Sequence, residues 1–185
     1  MKIKRILSEH LFTCCYYGWN WRDYGLSQNI FVSLAGRYPW ATINSYYAVL
    51  FHDKFVPDHL YLVCEQDYES SLRLIHQCLE EINTSFGIDC AIEDVLVPTA
   101  EFSVSIHRFQ QLVKQFVESE DSVALDITGG RRTLIAASLL TMKRTVATHV
   151  FYLAVTEEGK RDIPYLMKPL KSMQMKDFLE EFMDD

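Results

Sequence analysis

From Asn29 onward, short runs of consecutive apolar residues alternate with longer stretches whose apolar positions recur at helical spacing. Asn29-Ile-Phe-Val-Ser-Leu34 has no polar alternation and predicts a buried strand, with a turn at Ala35-Gly36-Arg37-Tyr38. Pro39 suits the first turn of a helix, and apolar spacing carries that helix from Trp40 to Phe51. Pro57-Asp58 leads into a second strand, His59 to Cys64, which Glu65-Gln66-Asp67 ends; Asp67 is placed to cap a helix through Ile82, and Gly87 marks its exit. Cys90 to Val97 predicts a third strand, stopped by Pro98. Ser103 or Ser105 can then cap a helix that gathers Ile106, Phe109, Leu112, Val113, Phe116 and Val117 on one face. A strand over 122–127, a helix over 131–144 and a strand from His149 to Val155 follow. Glu157 to Asp162 reads as an exposed hairpin loop before Ile163-Pro-Tyr-Leu-Met167, which Pro164 confines to a sheet edge. Lys176 to Asp184 predicts a closing helix with Phe178, Leu179 and Phe182 as its apolar set.

Repeated strand–helix alternation with continuously apolar strands predicts an α/β, Rossmann-like three-layer fold. Its sheet is mainly parallel, with helices on both faces and an antiparallel edge strand. Residues 29–185 form one such domain, and residues 1–28 an N-terminal arm. In the arm, Leu11 to Tyr17 could be a short strand, and the aromatics Trp19, Trp21 and Tyr24 either cover a sheet edge or wall a ligand. In a sheet of this kind the ligand sits beyond the carboxyl ends of the strands. That rule selects Ser33, Leu34, Ala35, Gly36, Arg37 and Tyr38, then Glu65–Asp67, Pro98–Phe102 and Thr128–Thr133 as one rim.

Bulk properties narrow the choice. The 185 residues, 49% hydrophobic and 23% charged, match one globular domain. No apolar run approaches the ~20 residues of a membrane span, and Glu9 and His10 interrupt any leader core behind Lys2 and Lys4, so a cytoplasmic protein is expected. A net charge of −7 speaks against a protein that coats DNA or long RNA, yet leaves room for a small anion in a local basic pocket. The cysteines, odd in number and without a C-x-x-C pair, read as buried thiols in a reducing compartment. The histidines show no metal-ligand spacing, so neither a metal nor a cofactor is expected.

The rim is neither a Walker loop, nor a dinucleotide G-x-G-x-x-G turn, nor a nucleophile elbow. It does have two glycine turns, after the first and fourth strands, accompanied by Arg37, Arg131 and Arg132. Cations in the first turn of a helix oppose its dipole, so Arg131-Arg132 suggests that an anion is expected there. Ser33, Thr128 and Thr133 can donate to phosphate or ribose oxygens, and Gly36, Gly129 and Gly130 allow close backbone approach. Asp126 reads as structural, bonding the turn backbone or fixing an arginine. Glu65 either reads an adenine amino group or caps a helix. Tyr38 either stacks on a base or packs in the core, where Trp40 belongs.

Asp126-Ile-Thr-Gly-Gly-Arg-Arg132 closely resembles the signature Asp-x-Ser/Thr-Gly-Gly-Thr/Arg-Lys/Arg of CARF (CRISPR-associated Rossmann fold) domains. Ser33 to Arg37 falls where that family has its other ligand loop, and Pro57-Asp58 through Cys64-Glu65 resembles its second strand, so the likeness covers roughly residues 29–170. The resemblance implies a homodimer that binds a cyclic oligoadenylate of type III CRISPR antiviral signalling across its two-fold axis, with cyclic tetra-adenylate favoured over the hexa-adenylate. Ser33, Leu34, Ala35, Gly36, Arg37, Glu65, Pro98, Asp126, Thr128, Gly129, Gly130, Arg131, Arg132 and Thr133 would line the ligand. Standalone relatives are often metal-independent ring nucleases whose products end in a 2′,3′-cyclic phosphate. Arg132 stands where these often have a catalytic lysine and Ser33 where they have a loop serine, with Thr128 and Tyr38 as further catalytic candidates. Arginine keeps the charge of that lysine but not its proton donation. The alternatives are a non-catalytic sensor or sponge acting through an effector domain or partner chain, and an unrelated α/β enzyme using a mononucleotide or phosphorylated metabolite.

Overall fold

In the computed structural model the apolar runs become strands β1 (Asn29–Ala35), β2 (His59–Glu65), β3 (Ala91–Val97), β4 (Ser122–Asp126) and β5 (Ala147–Val155). The helical patterns become α1 (Pro39–Phe51), α2 (Leu72–Phe86), α3 (Phe102–Ser119) and α4 (Arg132–Thr141), followed by strand β6 (Met173–Asp177) and a single turn, α5 (Phe178–Glu181). The structure describes residues 27–119, 121–142, 146–156, 163–168 and 172–181. The N-terminal arm and the 157–162 hairpin loop lie outside the described residues, as does the end of the closing helix beyond Glu181.

The sheet order is β3-β2-β1-β4-β5-β6. All pairings are parallel except β5 with β6, which is antiparallel. This is the doubly wound arrangement, in which connections leave a central strand in both directions. Strand alternation divides the core. Ile30, Val32 and Leu34 of β1 face the layer built by α3 and α4, against Phe109, Leu112, Leu134 and Ala137. Phe31 and Ala35 face the layer of α1 and α2, against Ile43, Tyr46, Val49, Ile75 and Leu79.

Several boundaries differ from the sequence pattern. The antiparallel edge strand is not Ile163–Met167, where Tyr165–Met167 makes a 3₁₀ turn, but Met173–Asp177, and Lys176 belongs to this strand rather than to a closing helix. Pro164 lacks the N–H a ladder needs, whereas Met173 to Asp177 can exchange bonds with Phe151 to Val155. Asp67 caps no helix. Residues Gln66–Ser71 form a 3₁₀ segment first, and the Asp67 N–H is bonded by Thr99 Oγ1 at 3.2 Å. α3 starts at Phe102, ahead of the serines expected to cap it.

Candidate anion-binding rim

β1 and β4 are neighbours, but β1 leads to α1 on one face and β4 to α4 on the other, so a crevice opens between their carboxyl ends. The crevice floor is polar and closed. Ser33 pairs in register with Asp126, and its Oγ donates to Asp126 Oδ2 at 2.8 Å. Ser45 Oγ, from α1, donates to Oδ1 at 2.8 Å, and the Thr128 N–H donates to the same oxygen at 3.0 Å. Thr128 Oγ1 lies 3.0 Å from Ser45 Oγ and accepts the Leu153 N–H at 2.9 Å, which ties the motif turn to β5. Burial raises the pKa of the Asp126 carboxyl above its ordinary value, while the bonds from Thr128, Ser33 and Ser45 pull the other way.

Above this floor the two glycine turns touch backbone to backbone. A Cβ on Gly36 would overlap the Gly129 carbonyl oxygen, and one on Gly129 would overlap both the Leu34 carbonyl and the Thr42 hydroxyl. A Cβ on Gly130 would fall 2.8 Å from that of Leu34. Only glycine lets the β1 and β4 turns close on each other here, so this contact by itself requires the glycines.

A second network fixes the cations. Arg131 Nη1 lies 3.4 Å from Glu65 Oε2, and its guanidinium sits over the Tyr68 ring at 5.7 Å. Glu65 is only 2% exposed, and its other oxygen accepts the Ala100 N–H at 3.2 Å. Ala100 has a left-handed backbone, φ 60°, which alanine adopts at a cost and which aims its N–H at Glu65. The turns after β2, β3 and β4 are thereby joined around one ion pair. Arg132 and Thr133 are exposed, and α4 has no side-chain cap and no acidic residue in its first turn. A helix N-terminus left uncapped by any side chain thus lies beside the exposed Arg132 and the Glu65-paired Arg131, the electrostatics of an anion site. Across the crevice Arg37 and Tyr38 are exposed, with the guanidinium 5.7 Å from the tyrosine ring.

Of the rim expected from the sequence, Arg37, Tyr38, Arg131, Arg132 and Thr133 are exposed and Pro98, Thr128, Gly129 and Gly130 half-buried, whereas Gly36 is buried beneath the Gly129 turn. Other expected positions are corrected. Ser33 lies within β1, as the apolar run predicts, but it is fully buried and its hydroxyl donates to Asp126, so it does not open onto the rim as the loop serine of the resemblance would. Leu34, Ala35 and Asp126 are buried as well. Glu65 neither caps a helix nor stands free for an adenine: it fixes Arg131, one of the two tasks considered for Asp126, which instead bonds the turn backbone. Trp40 is half-buried, between the core and a cavity. Ser45 and Tyr68 escaped the sequence reading, although Thr42, Asn44 and Ser45 stand out as polar residues within an otherwise apolar helix; Ala100 lies within the expected Pro98–Phe102 stretch.

Beside Thr128, between the first turn of α1 and the end of β5, lies a cavity of about 210 Å³ lined by Tyr38, Asn44, Tyr152 and Lys168 among others. Among the described residues one group has metal-ligand composition, His149, Asp177 and Glu180, with ligand atoms within 4.8 Å of one another. It lies at the other end of β5. Asp177 is occupied by His149 Nδ1 at 2.6 Å and by the N–H groups of Val150 and Leu179, and Lys54 Nζ at 3.0 Å already balances Glu180.

No family model and no curated protein matches the sequence. The fold does have counterparts among solved structures. Enterococcus italicus Csm6 bound to cyclic hexa-2′-fluoro-hexa-dAMP aligns with a TM-score of 0.57 at 14% identity, over 86% of this chain and 44% of that one. Protein VC1899 from Vibrio cholerae aligns at 0.53 and 13%, over 72% and 32%. Can2 from Sulfobacillus thermosulfidooxidans, in complex with cyclic tetra-adenylate, aligns at 0.52 and 14%, over 67% and 31%. The chain thus has the Rossmann-like α/β fold of these proteins and spans less than half of each.

Proposed function

We propose that this chain binds a cyclic oligoadenylate, cyclic tetra-adenylate before the hexa-adenylate, on the rim formed by Arg37 and Thr128–Thr133, as a homodimer in type III CRISPR signalling. The observation that carries this is the pairing of Arg131, held by Glu65 and Tyr68, with the uncapped N-terminus of α4 at the sheet's switch point. Two proteins that share the fold hold cyclic adenylates in their structures, which supports the ligand class. A two-fold partner would present a second rim to a ring that is itself symmetric.

Bound on such a rim, the ring can be cut without a metal. The ribose 2′-oxygen attacks the adjacent phosphorus and the bond from phosphorus to O5′ breaks. The 2′ proton leaves to solvent and O5′ takes one up. Arg132 is the exposed cation for the charge that develops on the phosphoryl oxygens, and Tyr38 borders the same crevice. With Ser33 committed to Asp126, no serine of the β1 turn takes part.

That commitment, with arginine in place of a proton-donating lysine, favours a second reading in which the chain holds the ring intact as a sensor or sponge. One experiment separates the two. The protein is incubated with cyclic tetra- and hexa-adenylate in the presence of a chelator, and products are resolved by chromatography. Linear products ending in 2′,3′-cyclic phosphate establish cleavage, intact co-eluting ring establishes the sensor, and a ring that neither binds nor reacts overturns the assignment.

A further inference from the structure

Between α1 and α2 runs an apolar groove of about 370 Å³, and none of the rim arginines lines it. Trp40, Ile43 and Tyr47 of α1 form one wall, Cys78 and Ile82 of α2 the other, and the turn at Pro164 one end. The groove is held open by fixed contacts. Asn44 Nδ2 donates to the Ile163 carbonyl at 3.0 Å, and the Tyr165 ring lies 5.3 Å from that of Tyr47. Two of its lining residues are left in water, Leu74 at 41% exposure and Leu166 at 70%. A contiguous apolar surface of this kind marks a place that another segment or molecule covers.

The chain carries a segment of matching chemistry. Residues 1–26, outside the described residues, hold Phe12, Tyr16, Tyr17, Trp19, Trp21 and Tyr24, among them two of the three tryptophans in the sequence. Such side chains bury about 150–250 Å² each when they find a partner surface. The segment over 157–162, by contrast, has no large apolar side chain. Charge agrees with the pairing. Lys2, Lys4, Arg5 and Arg22 outnumber Glu9 and Asp23 in a chain whose net charge is −7, and Glu81 lies at the groove. Reach agrees too. The Gln28 N–H is fastened to Asp121 at the start of β1. From Leu26 back to Tyr16 an extended chain covers up to about 33 Å, against roughly 20 Å for the 13 residues of α1.

We infer that the groove between α1 and α2 is the docking site of the chain's own N-terminal segment, with Trp19 and Trp21 as its apolar anchors. The inference stands apart from the ring-binding reading and survives its failure.

The test uses the full chain with the photoreactive residue p-benzoylphenylalanine in place of Gln77 or, in a second variant, of Glu81, both exposed at the groove. After irradiation, denaturing gels separate monomer-sized from dimer-sized products, and mass spectrometry identifies the joined peptides. Monomer-sized products that join position 77 or 81 to residues 1–26 are expected. Adding Trp19→Ser and Trp21→Ser should cut their yield at least about tenfold, because burying even one large apolar side chain favours docking by more than that factor. Thermal denaturation checks that each variant melts like the wild type, as it should where the substituted residues are exposed or lie in the arm. Dimer-sized products would give the groove to a second copy of the chain and overturn the inference. An absence of products with residues 1–26 at both positions, or a yield that the tryptophan substitutions leave unchanged, would overturn it as well.

Discussion

Ser33 and Asp126 are register partners on neighbouring parallel strands, and the serine hydroxyl donates to the carboxylate at 2.8 Å where the two strands part company. A parallel pair has no turn of its own to hold its ends together. Here a buried carboxylate takes that place. It collects Ser33 from β1, Ser45 from α1 and the Thr128 N–H from the motif turn, so the position of the turn depends on a fully buried group.

Ser33→Ala should therefore act on stability. It removes a hydrogen bond to a charged group at a fully buried site, which costs about 1.5–3 kcal/mol. In a domain of this size that lowers the melting temperature by roughly 3–12 °C. Affinity for the ring, measured on folded protein, should change little. A variant that melts like wild type but has lost ring cleavage would return Ser33 to the chemistry.

Asp126 makes stability depend on pH. Its folded pKa is raised above the ordinary 3.8 by burial, so the folded state binds the proton more tightly than the unfolded chain does. The resulting contribution is fully present below the ordinary value and is lost as pH rises through the raised one. Asp126→Asn cannot titrate. The stability of wild type relative to D126N should fall as pH rises from about 4 toward neutrality. Urea denaturation of both at a series of pH values checks this, and parallel curves would contradict it.

Much of this was legible in the sequence because it is periodic. The continuous apolar runs of β1, β2 and β4 specify strands buried on both faces, and the break at Thr128-Gly129-Gly130 specifies the turn. The direction of a polar residue inside such a run was not legible. Ser33 reads as part of a rim until its register on β4 commits it to Asp126, the carboxyl that Ser45 of α1 also reaches. Glu65 and Arg131 are 66 residues apart, and no local pattern pairs them. The edge strand was missed because Met173 to Asp177 carries weak alternation, whereas Ile163 to Met167 is more apolar but lacks a donor at Pro164.

Glycine substitutions should separate loop contact from loop flexibility. Gly129→Ala would drive a methyl group into the Leu34 carbonyl and the Thr42 hydroxyl, backbone on one side and a short side chain on the other. Overpacking of this kind costs about 1–3 kcal/mol, and it should shift the arginines enough to weaken ring binding as well. Gly87→Ala is the control. Gly87 has a φ of 67° at the end of α2 with nothing within 4 Å of an added Cβ, so its cost is backbone strain alone, of order 1 kcal/mol or more. G87A should bind ring like wild type despite melting lower. Equal ring affinity in G129A and wild type would show that the loop–loop contact does not shape the rim.

The two motif arginines should also fail differently. Arg132 is exposed, so Arg132→Ala should leave the melting temperature unchanged, weaken the ring and abolish its cleavage. Arg131 is 43% exposed at its side chain, and it also faces a carboxylate that is 2% exposed. Arg131→Ala removes a proposed phosphate contact and leaves the buried Glu65 without its cation, bonded to the Ala100 N–H, so it should both weaken the ring and lower the melting temperature. Adding Glu65→Gln to R131A removes the unpaired charge and should restore part of the stability with none of the binding. Calorimetry with the ring and thermal denaturation of the three variants give both quantities. Unchanged affinity in the Arg131→Ala, Arg132→Ala double variant would remove the motif turn from the binding site altogether.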